Sequence, residues 1–117
     1  MFGFEKLEVW QISVQFADRT YEIITRFPAD ERFGLTNQLR RAAVSISANI
    51  AEGSGRGSTK DISRFVEIAY GSLMETVAHW QIAKCRKFVS DPEFEETYRR
   101  AEQLGKMLSG LRTSLHA

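Results

Sequence analysis

The run Leu35-Thr36-Asn37-Gln38-Leu39-Arg40-Arg41-Ala42-Ala43-Val44-Ser45-Ile46-Ser47-Ala48-Asn49-Ile50-Ala51-Glu52-Gly53 constrains this chain more than any other stretch. Leu39, Ala42, Ala43, Ile46 and Ile50 recur at the three- and four-residue steps of one helical face. Val44, Ala48 and Ala51 stand opposite them, with no charged run. A helix that is apolar or small nearly all round is buried on several sides. The run is therefore expected to be a central helix, packed by everything else.

Its polar residues are also ordered. Arg41, Ser45, Asn49 and Glu52 follow at four-, four- and three-residue steps, so they share a stripe. An ion pair or hydrogen-bond ladder along that stripe would satisfy all four. Half-buried charges need such partners. The alternative is that Arg40 and Arg41 meet a phosphate or an acidic partner.

Three more helices follow from periodicity. In the first, Leu7, Trp10, Val14, Ala17, Tyr21 and Ile24 read as the core seam of an antiparallel bundle. A second stripe, Val9, Ile12, Phe16, Ile23 and Phe27, lies on roughly the opposite side. One bundle cannot bury both, so the second stripe is expected to be an oligomer interface. Phe27-Pro28 closes this helix, and Thr36 is the expected cap of the next. Gly53-Ser54-Gly55-Arg56-Gly57-Ser58 breaks the central helix, and Ser58 with Asp61 forms a capping box for the third. The third helix buries Ile62, Phe65, Ala69, Leu73, Thr76, Trp80 and Ala83. Ser90-Asp91-Pro92-Glu93 starts the fourth. Its seam is Phe94, Tyr98, Ala101, Leu104, Leu108, Leu111 and Leu115. The expectation is all-α: one domain over residues 1–117, an antiparallel up-down-up-down four-helix bundle with helices at about 4–27, 36–52, 59–88 and 91–114.

Chemistry is sparse. Two histidines cannot furnish a carboxylate-bridged metal site, because Glu75 and His79 are four apart and His116 is terminal. No cofactor, metal or catalytic set is expected, and the chain reads as no enzyme. Cys85 has no partner for a disulfide and reads as a core or interface residue; with no signal-like start or membrane span, a cytoplasmic protein without membrane partners is expected. Net charge is +1, so any anion binding must come from uneven placement. Antiparallel threading gathers Arg56, Lys60 and Arg64 at the glycine-loop end. Arg40, Arg41, Lys84, Arg86 and Lys87 gather at the other, beside Asp91, Glu93, Glu95 and Glu96, which are expected to neutralise much of it. The glycine-loop end is therefore the better candidate for nucleic acid, with Arg40 and Arg41 as further contacts.

The residues Phe27-Pro28, Glu31-Arg32-Phe33-Gly34-Leu35, Gln38 to Ile46, Ala48 to Gly53 and Arg64-Phe65 resemble one known family. It comprises four-helix-bundle proteins encoded in intervening sequences of bacterial 23S rRNA genes, and accessory proteins of diversity-generating retroelements are similar. The resemblance implies an oligomer, a pentameric ring, with nucleic-acid binding as the expected activity and no established enzymatic one. The partners to expect are further copies of itself, and RNA, DNA or a nucleic-acid-binding protein. A purely structural scaffold that binds another protein is the alternative.

Overall fold

The connections between helices are too short to cross the molecule, so each helix must turn back along its predecessor. The computed structural model, which describes residues 1–116, has α1 (Glu8–Ile24), α2 (Leu35–Ser54), α3 (Thr59–Cys85) and α4 (Asp91–Leu115). Each packs on the next and α4 closes on α1, while the diagonal pairs do not meet. This is an all-α, antiparallel four-helix bundle, 43 × 22 × 22 Å. One end holds the glycine loop and both termini; the other holds the connections at residues 25–34 and 86–90.

Local chemistry sets the boundaries. At α4, Ser90 Oγ accepts from the Glu93 amide at 3.3 Å while the Ser90 amide donates to Glu93 Oε1 at 3.3 Å, a full capping box. At α3 only half the expected box forms. Ser58 Oγ accepts from the Asp61 amide at 3.1 Å, but the Asp61 carboxylate turns to Arg64 instead. Thr36 is not the cap of α2. The chain after Pro28 makes a 3₁₀ turn, Ala29–Glu31, which brings Glu31 Oε2 within 3.1 Å of the Leu35 amide. The third helix ends at Cys85 because Lys87 adopts φ 61°. There the Phe88 amide donates to Ala83 O at 2.9 Å and that of Lys87 to Lys84 O at 3.0 Å, closing a Schellman motif.

The core face of α2 is as expected, with Leu39, Ala43 and Ile46 fully buried. The second stripe of α1 faces inward, and the expected core stripe is split, with Trp10 packed against the core. Val9, Phe16, Ile23 and Phe27 are buried in the subunit's own core, and Ile12 packs beside them. Of the stripe expected to be core, Leu7 (38% exposed), Val14 (38%) and Tyr21 (44%) face outward, while Ala17 and Ile24 are buried. The five residues expected at an interface are thus the bundle's own packing. Cys85, expected in a core or interface, is exposed in the subunit.

Gly53 also differs from its expected role. α2 continues through it to Ser54, and no glycine has positive φ. A Cβ at Gly53 would lie 2.8 Å from Phe65 Cβ, so glycine is needed for close approach of α2 and α3. Gly53→Ala is therefore expected to destabilise, although alanine improves helix propensity by about 0.5–1 kcal/mol. Overpacking costs about 1–3 kcal/mol, and a midpoint lowered by several degrees in a thermal melt is the expected net result. A raised midpoint would show that α3 yields freely.

Candidate nucleic-acid interface

At the glycine-loop end the structure brings Arg56 and Arg64 onto one ring. Their guanidinium carbons lie 4.6 and 4.7 Å from the centroid of Phe65, itself buried. Each also has a carboxylate: Arg56 has Glu52 at 3.7 Å and Arg64 has Asp61 at 4.0 Å. Arg112 repeats the pattern nearby, with Glu67 at 3.5 Å and the Tyr70 ring at 4.8 Å. Lys60 is exposed, with no carboxylate in ion-pair range among the described residues. Two of the three cations expected to hold phosphate are thus already engaged.

Arg40 and Arg41 are not part of this group. They lie near the start of α2, roughly 20 Å away at 1.5 Å per residue. Arg40 donates to Asn37 Oδ1. Arg41 lines an outer cleft between α2 and α3 with Asn37, Gln38, Ser45, Ser72 and Glu75. Only the middle of the α2 polar stripe forms a ladder. Asn49 Nδ2 donates to Ser45 O at 2.8 Å and to its Oγ at 2.9 Å, and Ser45 Oγ meets Ser72 Oγ at 2.9 Å. Glu52 turns to Arg56 instead, and Arg41 makes no ion pair among the described residues.

The acids expected to neutralise the far end are partly spoken for. Glu96 accepts from Arg19 Nε at 2.9 Å and NH2 at 2.9 Å, and from Arg100 Nε at 3.0 Å. Glu93 is bound by Arg26. The Arg19 pair stitches α1 to α4, and the Arg26 pair ties the connection after α1 to the start of α4. They leave Arg32, Arg40, Arg41, Lys84, Arg86 and Lys87 without an ion-pair partner among the described residues. Asp30, Asp91 and Glu95 remain at that end, all exposed. Aromatic rings accompany several of these cations: Lys84 lies 4.5 Å from the Phe94 centroid and Arg86 5.9 Å from that of Phe88. Arg32 lies 4.9 Å from the ring of Phe33, which is 82% exposed. In the sequence Phe33 serves only the family resemblance, and no aromatic platform is evident in the polar segments. The available signal was an Arg-Phe-Gly in a polar connection, with no helical face to bury the ring.

Away from these ends, Glu75 Oε2 lies 3.2 Å from His79 Nε2. Among the described residues no group of three or more potential metal ligands gathers, and no helix is long and apolar enough to cross a membrane.

The architecture defines a helical-bundle protein that exposes cations at both ends, unpaired ones mainly at one, and apolar residues along its side. It belongs to the family described as 23S rRNA-intervening sequence protein, whose model matches residues 5–110. A solved relative in fold is a protein of unknown function from the S23 ribosomal protein family of Bacteroides thetaiotaomicron VPI-5482. The TM-score is 0.82 at 24% identity, over 89% of this chain and 97% of that one. No curated protein matches the chain.

The α1–α4 ion pairs predict a pH dependence. The hydrogen bond from Arg26 lowers the pKa of Glu93, and that from Arg19 lowers the pKa of Glu96, each below an ordinary 4.5. A depressed folded-state value gives stability that is present above about pH 4.5 and lost as pH falls through the folded value. Thermal melts should show the midpoint falling with acidification below that point. Glu96→Gln should flatten the fall and cost at most about 1 kcal/mol at neutral pH, because the pair is partly solvated. An unchanged acid profile in that variant would show that the pair contributes nothing.

Proposed function

We propose that this chain is a non-enzymatic, self-associating bundle that binds nucleic acid through its phosphates, without reading sequence. One observation carries the reading: at the end formed by residues 25–34 and 86–90, Arg32, Arg40, Arg41, Lys84, Arg86 and Lys87 have no ion-pair partner among the described residues, whereas Arg26 there, and Arg56, Arg64 and Arg112 elsewhere, do. Free cations release condensed counterions when they meet phosphate. Paired ones must first give up a carboxylate. The glycine-loop end, with Lys60 free, is a secondary contact in this reading.

Replacing Arg40, Arg41, Arg86 and Lys87 by glutamine should abolish retention of labelled RNA in a gel shift. Replacing Arg56, Lys60 and Arg64 should weaken it less. The slope of log affinity against log salt should shrink by about 0.9 for each duplex phosphate that is no longer neutralised. If the unmutated protein retains neither RNA nor DNA at about 50 mM salt, where such interactions are strongest, the nucleic-acid reading falls.

Exposure of Leu7, Val14 and Tyr21 along one side of α1, with Val44 and Ala48 on α2, favours self-association as part of this reading. A pentameric ring is the form the family resemblance implies. The same stripe favours the scaffold alternative, in which another protein covers it. Val14→Glu should leave helicity and melting intact while reducing the assembled mass in light scattering. An unmutated protein that is monomeric at micromolar concentration would remove self-association and leave the scaffold.

A further inference from the structure

We infer that Arg32 and Phe33 form a stacking platform for one unpaired base, so that the ligand at this end is single-stranded nucleic acid. The inference rests on the nucleic-acid reading above and names its ligand class. Phe33 is 82% exposed, so its ring contributes almost nothing to the core. The guanidinium of Arg32, 4.9 Å from the ring centroid, attends one part of the ring and leaves most of it in water.

The backbone beneath is fixed. The Arg32 amide donates to Ala29 O at 3.2 Å, that of Gly34 to Glu31 O at 2.9 Å, and that of Leu35 to Glu31 Oε2 at 3.1 Å. The ring is therefore offered from a short, hydrogen-bonded turn between Pro28 and α2, and little backbone freedom is left to surrender on binding. Arg40 and Arg41 on the following helix, and Arg86 and Lys87 on the other connection at this end, supply positive charge for phosphates.

This combination separates single strand from duplex. In a duplex the base faces are stacked on one another, and only an unpaired base or an end offers a free face to a protein ring. A phenyl ring has no hydrogen-bonding group, so stacking on it tolerates any base. Charge alone would accept both forms.

The test compares a labelled oligouridine strand with an RNA duplex of equal length, at one salt concentration, against Phe33→Ala, Phe33→Leu and Phe33→Trp. Circular dichroism and thermal melts should be unchanged in all three, because the ring is exposed. Phe33→Ala and Phe33→Leu should weaken oligouridine binding about tenfold, Phe33→Trp should keep it, and duplex binding should stay within about twofold. Equal weakening for strand and duplex would overturn the platform. So would retention by Phe33→Leu, which indicates apolar contact without stacking, or full binding by every variant. Where the unmutated protein still binds strand and duplex in those cases, the electrostatic reading survives without the platform. If it binds neither form, both fall together.

Discussion

The close contact of α2 with α3 is the constraint on which the rest of the bundle depends. Both helices bury small residues, Ala42, Ala43 and Gly53 on α2 and Ala69 and Ala83 on α3. At Gly53 the fit leaves no room for a methyl group beside Phe65. With the axes this near, the hydroxyls of Ser45 and Ser72 meet directly at 2.9 Å. Larger residues would have pushed the helices apart, separated that pair and moved Phe65 from beneath Arg56 and Arg64. Close packing makes such changes costly even at one methylene.

The opposite seam works by a different force. Between α1 and α4, long side chains reach across partly solvated ground, and Arg19, Arg26 and Arg100 grip Glu96 and Glu93. Exposed pairs add little stability singly, but here they also allocate charge. Each carboxylate drawn to α1 or α4 is one fewer beside Lys84, Arg86 and Lys87. A chain with net charge +1 thereby gains an end with free cations, although composition gives no sign of one.

Much of this was legible in the sequence, and its failures have physical reasons. Periodicity and the small-residue run located all four helices and the core face of α2, because both follow from helix geometry alone. It placed the inward stripe of α1 at an interface. The buried stripe contains Ser13 and Thr20, which look like breaks in an apolar face. Both are fully buried, since Ser13 Oγ donates to Trp10 O at 2.6 Å and Thr20 Oγ1 to Phe16 O at 2.9 Å. A hydroxyl satisfied by its own helix is no obstacle to burial. Charge pairing was equally hidden. Glu96 lies next to α4 cations in sequence, but its strongest partner, Arg19, is on α1. The family resemblance reached the fold and the family model's match over residues 5–110, and said nothing of either detail.

The two exposed features are arranged so that one can multiply the other. Leu7, Val14 and Tyr21 run along the side of the bundle, whereas Arg32, Phe33, Arg86 and Lys87 sit at one end. Contacts made by the sides of subunits leave the ends open. If the assembly is cyclic, every subunit points the same way along the axis, and the free cations around Arg32, Arg86 and Lys87 fall on one rim. A dihedral assembly would divide them between two rims. Because electrostatic affinity grows with the number of phosphates neutralised, and linked sites act at high effective concentration, in the proposed reading a cyclic arrangement would convert a weak single-subunit contact into a continuous basic rim. In that reading, side-by-side packing through α1 and end-on binding are compatible demands, because they fall on different surfaces of one subunit.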